Sequence, residues 1–173
     1  MKKGEASMTY SRYPLGTVIV SNVVSWAVYV SGAAIISKLG YGWMAAYLAV
    51  VVGLEFRLLK SQCVDCFYFG KRCAFGKGLV SGWLFRRGNP RRFNAIKMIW
   101  KDLLPDLAVA LVPLIVGLVF LVIDFRWMTL GLMGILVLAS SAGNSFVRGK
   151  LACKYCKQRL LGCPAECLFR NRN

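Results

Sequence analysis

Cys63, Cys66 and Cys73 stand in the spacing C-x2-C-x6-C, and Cys153, Cys156 and Cys163 repeat that spacing ninety residues later. Two thiolates separated by two residues can clasp one ion through a tight turn, and a third after six more residues can close on the same ion. Cys167 extends the second frame to CKYCKQRLLGCPAEC, a complete four-thiolate set. The first frame has no fourth cysteine, so a site there stays open, takes Asp65 or solvent, or borrows from the second frame. Pro164 suits the first position of a helical turn, which sets the Cys163 thiolate at the positive end of that turn.

The chain contains no histidine. That excludes mixed His/Cys zinc sites, His-ligated haem and two-His-one-carboxylate iron, and leaves all-thiolate zinc and iron–sulfur clusters. Lys60, Lys71, Arg72, Lys150, Lys154, Lys157 and Arg159 surround the two frames, and cations there favour thiolates and raise the potential of any cluster. The expected ligands are therefore Cys63, Cys66, Cys73, Cys153, Cys156, Cys163 and Cys167, holding either an iron–sulfur cluster or Zn2+. Two other readings stand beside metal binding: a dithiol exchange pair, or inert thiols.

The elements that must carry these frames belong to a bilayer. Apolar residues make up 57% of the 173, mean hydropathy is +0.54, and net charge is +16. One soluble surface cannot accommodate both properties, but the chain separates them into apolar runs and basic connectors. Leu15–Ile36 carries no charge and is long enough to cross about 30 Å of hydrocarbon. Tyr41–Phe56 is shorter and meets Glu55 near its end, so it spans with its aromatic ends at the interfaces. Leu107–Ile123 and Trp127–Phe146 supply the third and fourth spans, with Pro113 expected to kink the third. The first run is too long for a signal peptide and has no clear small-residue cleavage site, so the mature chain is expected to keep its start.

Basic residues orient these spans. Of 23 Lys and Arg, three precede the first span, eleven lie from Arg57 to Lys101 and seven follow the fourth span. Only Lys38 and Arg126 fall in the two short hairpins. This bias predicts an integral protein of the cell's plasma or inner membrane, with both termini, the central loop and every cysteine in the cytoplasm. Thiols there normally stay reduced, which disfavours a disulfide framework.

The ninety-residue shift also superposes Gly53 on Gly143, Phe56 on Phe146 and Lys60 on Lys150, and lays the first two spans over the last two. An internal duplication follows, with a pseudo-two-fold axis along the membrane normal. Ala45, Ala49 and Gly53 form a small-residue stripe matched by Ile135, Ala139 and Gly143, along which the second and fourth helices are expected to pack and bring the frames together.

The expected fold is an all-α membrane protein with four transmembrane helices in two tandem two-helix repeats, cytoplasmic metal-binding loops and an interfacial amphipathic helix. The segments are a cytoplasmic tail (1–14), repeat 1 (15–78), the connector (79–104) and repeat 2 (105–173). The connector helix follows Asn89 and Pro90, with Phe93, Ile96, Trp100 and Leu103 opposite Arg91, Arg92, Lys97 and Lys101. It faces membrane lipid, with an acidic soluble partner as the alternative, and no nucleic acid is expected.

Three functions remain. The first is an iron–sulfur electron-transfer subunit serving a cytoplasmic redox partner or a membrane complex. The second is a zinc-stabilised adaptor or assembly factor without catalysis, and the third is a membrane dithiol oxidoreductase. Transport of a soft metal is disfavoured, because the spans hold no cysteine, only Met44, Met128 and Met133, and no central ionisable residue. No nucleophile and base pair apart from the thiols is visible, so an enzymatic role is left open.

Overall fold

The structure is a computed structural model that describes residues 9–89, 93, 100–161 and 163. Among the described residues it is all-helical, without a named strand, and four of its helices are long and apolar enough to cross a membrane. The expected connector helix from Asn89 to Leu103 lies mostly outside the described residues, as do Pro164 and Cys167.

Helix α1 runs Leu15–Ile36, the boundaries expected from its uncharged run. Gly40, at φ +121°, turns the chain into α2 (Tyr41–Ser61), because that backbone conformation suits a residue without Cβ. Helix α2 outlasts its apolar run by five residues, since Arg57, Leu58, Leu59 and Lys60 are all good helix formers. A short helix that was not expected, α3 (Lys77–Leu84), follows the first cysteine frame. Helix α4 spans Trp100–Ile123 and contains Pro105 and Pro113.

The fourth span differs most from expectation. Helix α5 (Trp127–Leu138) opens into a π-helical stretch over Ala139–Gly143, resumes as α6 (Asn144–Phe146), and is π-helical again over Val147–Ala152. The cause of the first π-helical stretch is local: the Ser140 and Ser141 hydroxyls both donate to the Val137 carbonyl, at 3.3 and 2.5 Å, and compete with the regular backbone ladder.

Contacts divide the chain into two compact units that cut across the sequence repeats. One comprises 1–20, 59–97 and 146–173, the other 21–58 and 98–145. In the second unit Ile36, Tyr47, Val51 and Val109 form the core, packed by Val28, Tyr29, Ala33, Leu54 and Val116. Large apolar side chains stand exposed along all four helices, among them Val23, Val52, Val122 and Leu138, as lipid-facing surfaces would.

Pro113 explains one feature of this core. It has no N–H to give to the carbonyl four residues back, which is that of Val109. The Tyr47 hydroxyl donates to that carbonyl at 3.0 Å, and Gly32 makes the approach possible, because a Cβ there would overlap the Tyr47 hydroxyl and meet the Pro113 ring at 3.2 Å. Tyr47→Phe is expected to cost about 1–2 kcal/mol by leaving that carbonyl unpaired. Pro113→Ala in the same chain restores the missing N–H and should recover most of the loss, measured as unfolding in detergent.

The expected small-residue stripe packs only in part. Ala45, Ala49 and Gly53 are exposed, Ile135 is exposed, and a Cβ at Gly53 would meet nothing within 4 Å, whereas a Cβ at Gly143 would meet Val24 at 3.1 Å. Close approach also uses Gly32 and Gly117, where Met133 and Ile35 press against the backbone. Spacing marks which residues share a face, but not whether that face meets protein or lipid.

The unit also contains polar contacts. Tyr29 donates to Glu55 at 2.5 Å with Asp106 near enough to act electrostatically, and the Lys38 ammonium donates to the Thr129 hydroxyl.

Candidate thiol centre

The first unit contains both cysteine frames. After α2 ends at Ser61, Cys63–Asp65 makes one 3-10 turn and Cys66 is extended. In the second frame the π-helical stretch ends at Ala152, and Cys156 is again extended before the short α7 (Lys157–Leu160). The backbone hydrogen bonds recur at the ninety-residue shift. Cys66 N–H donates to Cys63 C=O at 3.4 Å and Cys156 N–H to Cys153 C=O at 3.3 Å. Phe69 N–H donates to Cys66 C=O and Arg159 N–H to Cys156 C=O, at 3.1 and 3.2 Å. Lys71 N–H reaches Tyr68 C=O and Leu161 N–H reaches Gln158 C=O, at 2.9 and 3.1 Å.

The frames also bond to each other reciprocally. Phe67 N–H donates to the Gln158 side-chain oxygen at 2.7 Å, and Lys157 N–H donates to the Tyr68 hydroxyl at 3.0 Å. Residues 67 and 157, and 68 and 158, are equivalents under the same shift, so these two bonds exchange like partners between the frames.

Residues 9–14, expected to be a tail, are built into this unit. Tyr10 N–H donates to Tyr155 C=O at 3.1 Å and pairs with Cys156 as an isolated parallel bridge. Tyr13 N–H donates to Arg72 C=O at 3.0 Å, its hydroxyl donates to Ala152 C=O, and the Tyr68 hydroxyl donates to Tyr10 C=O at 2.6 Å. The Tyr13 ring lies 5.5 Å from those of both Tyr10 and Tyr68. The segment therefore ties the first frame to the second.

All six described cysteines are half-buried, and none forms a disulfide. Cys66, Cys73 and Cys156 pack against one core made by Tyr13, Tyr68, Ala74 and Ala152. Burial pushes the Cys66 thiol up to about 11, opposed by the N–H of Tyr68 and reinforced by Cys156, Cys73 and Cys163 nearby. Burial likewise raises Cys156, against the N–H groups of Arg159 and Gln158, with Cys163 adding to the rise. Cys153 is raised by burial and by Cys156, while Arg148 and Arg159 counter it. Five of the seven expected ligands therefore gather in one neighbourhood, with Cys63 at the head of its turn. Among the described residues, however, no three Cys, Asp or Glu side chains converge as a ready-made metal site.

Cys73 has a feature that spacing did not reveal. Its sulfur accepts the Gly78 N–H at 3.4 Å, at the start of α3. Gly78 must lack a side chain, because a Cβ there would overlap the backbone carbonyls of Tyr68 and Lys71. The proline expected to place Cys163 at such a helix start lies outside the described residues. Asp65, the substitute ligand considered for the first frame, is buried with its carboxylate against Gly88.

Cations rest on aromatic rings around the frames. The ammonium groups of Lys71 and Lys157 both sit over the Phe67 ring, at 4.7 and 5.1 Å, and Lys154 lies over Tyr155 at 5.6 Å.

Tyr10, Tyr13, Tyr68 and Gln158 were not singled out from the sequence. Tyr68 and Gln158 carried one usable signal, since each stands two residues after the second cysteine of its frame. Compared with known proteins, the chain matches no family, no curated protein and no solved structure.

Proposed function

We propose that this is a small integral membrane protein that binds a thiophilic metal centre, an iron–sulfur cluster, and uses it to pass electrons between a soluble donor and a membrane acceptor. The observation that carries the reading is the gathering of thiols from both frames on one aromatic core, beside cations suited to an anionic centre. The recurrence of backbone bonds at a ninety-residue shift supports an internal duplication. The distribution of Lys and Arg supports cytoplasmic termini and cytoplasmic frames.

Zinc would use the same ligands and would make the protein an adaptor or assembly factor. One measurement separates the two metals. Anaerobic purification in detergent, followed by a visible spectrum and a count of iron, zinc and sulfide per chain, is expected to give broad absorption near about 400 nm that dithionite bleaches, with iron and acid-labile sulfide. A colourless protein holding zinc would replace the electron-transfer reading with the adaptor.

A second reading is favoured by one specific observation. Cys66 and Cys156, one from each frame, pack against the same Tyr13 and Tyr68 core, so the thiols also suit dithiol exchange between a pair. A chain that carries neither iron nor zinc after anaerobic purification would support that reading.

A further inference from the structure

Helix α3 has two unlike faces. Toward the first cysteine frame it turns Gly78, Ser81 and Gly82, and the fit allows nothing larger at the glycines. A Cβ at Gly78 would overlap the Tyr68 and Lys71 carbonyls, and one at Gly82 would meet the Gly70 Cα at 2.8 Å. On the other face Val80, Trp83 and Leu84 stand outward, 42%, 86% and 58% exposed. Their i, i+3, i+4 spacing makes them one apolar patch, which calls for a cover. Lys77 begins the helix, the exposed Arg86 and Arg87 follow it, and no Asp or Glu stands between Cys66 and Lys101.

What covers the patch follows from where α3 is fastened. The Ser81 hydroxyl donates at 3.4 Å to the carbonyl of Leu59, one of the last four of α2, which have no partner within their own helix. Helix α2 is long and apolar enough to cross a membrane, and Lys60 stands in its last turn. The end of a span is where hydrocarbon gives way to headgroups, the level that tryptophan, with an apolar ring and a polar N–H, prefers. We infer that α3 is a membrane-surface anchor: the Val80, Trp83 and Leu84 face enters the interface, and Arg86 and Arg87 beside it bind the phosphate groups of anionic lipid. It is a separate element from the amphipathic helix expected after Asn89, and it rests on the integral-membrane reading alone, whatever the cysteines hold. Because the glycine face lies on Tyr68 and Lys71, the anchor also holds the first frame close to the headgroups.

The test reads Trp83 fluorescence in the full chain, reconstituted into nanodiscs of phosphatidylcholine with and without phosphatidylglycerol. The Trp83 signal is the difference between the unsubstituted chain and Trp83→Phe, which alters only an exposed side chain; monodisperse elution checks that each variant has folded. Trp83 is expected to be quenched by phospholipid brominated high on its acyl chains and shielded from acrylamide. The ratio of shielded to accessible Trp83 should be about tenfold higher in the anionic bilayer, and Arg86→Gln combined with Arg87→Gln should remove that difference. Trp83 open to acrylamide in both bilayers would overturn the anchor. Shielding without quenching by brominated lipid would replace the bilayer with a protein cover, a second copy of this chain or a soluble partner. Equal shielding in the two bilayers would defeat the recognition of anionic lipid. A chain released from the bilayer by an alkaline wash would instead overturn the integral-membrane reading itself.

Discussion

Tyr13→Ala is expected to open the cysteine-bearing unit while leaving the apolar helices formed. The Tyr13 side chain is 1% exposed, lies against the rings of Tyr10 and Tyr68, and donates its hydroxyl to the Ala152 carbonyl beside Cys153. Truncating a buried aromatic ring of this kind costs about 3–5 kcal/mol, from lost transfer and from the cavity left behind. Tyr13→Phe keeps the ring and removes only the hydroxyl, so it is expected to cost about 1–3 kcal/mol, the penalty of an unpaired buried carbonyl. Amide hydrogen exchange in detergent separates the two units: protection is expected to fall steeply across 63–73 and 153–161 in Tyr13→Ala, fall less in Tyr13→Phe, and hold across 21–58. If the alanine variant keeps full protection around both frames, the segment at 9–14 does not support the centre.

That prediction concerns a segment the sequence presented as a tail. Apolar runs announce themselves because a bilayer demands some twenty residues without charge, and Leu15–Ile36 was legible to both ends. The cysteine spacing was equally plain, and backbone hydrogen bonds recur between the two frames at the same ninety-residue shift. Tyr10 and Tyr13 carried no such mark. A short polar stretch before a span reads as a tail, and only tertiary contact shows that Tyr13 N–H is held by Arg72 and its hydroxyl by Ala152. The π-helical stretch at Ala139–Gly143 was hidden for a similar reason, since Ser140 and Ser141 are compatible with a regular membrane helix until their hydroxyls choose the Val137 carbonyl. The Ala45, Ala49 and Gly53 part of the stripe stays exposed because helices with little hydrophobic drive between them associate wherever backbones can approach, and here Gly32, Gly117 and Gly143 offered that approach.

Metal-free and metal-loaded protein are expected to respond to alkali in opposite directions. Without metal, Cys66 is raised from an ordinary 9.0 to about 11, Tyr68 from 10.0 to about 12, and Cys153, Cys156 and Tyr13 are raised too, each chiefly by burial. Between pH 9 and 12 the folded unit therefore holds more protons than the unfolded chain, and its stability falls as pH rises through that window. Below pH 9 the contribution is fully present. Each tenfold gain in proton affinity corresponds to about 1.4 kcal/mol, and partial exposure reduces what Cys66 contributes to about 1–2 kcal/mol. The other groups act in the same direction, so the unit is expected to open cooperatively near about pH 11, with tyrosinate absorbance rising in the same transition as the loss of amide protection. A bound ion reverses the slope at lower pH. Thiols must lose their protons to become ligands, so affinity for Co2+ climbs as pH rises from about 6 to 9 and adds to stability over that range. A metal-free unit whose stability rises with pH across about 9–12 would contradict burial as the cause of the raised thiols. Loaded protein that gains nothing between about pH 6 and 9 would show that these cysteines are not the ligands.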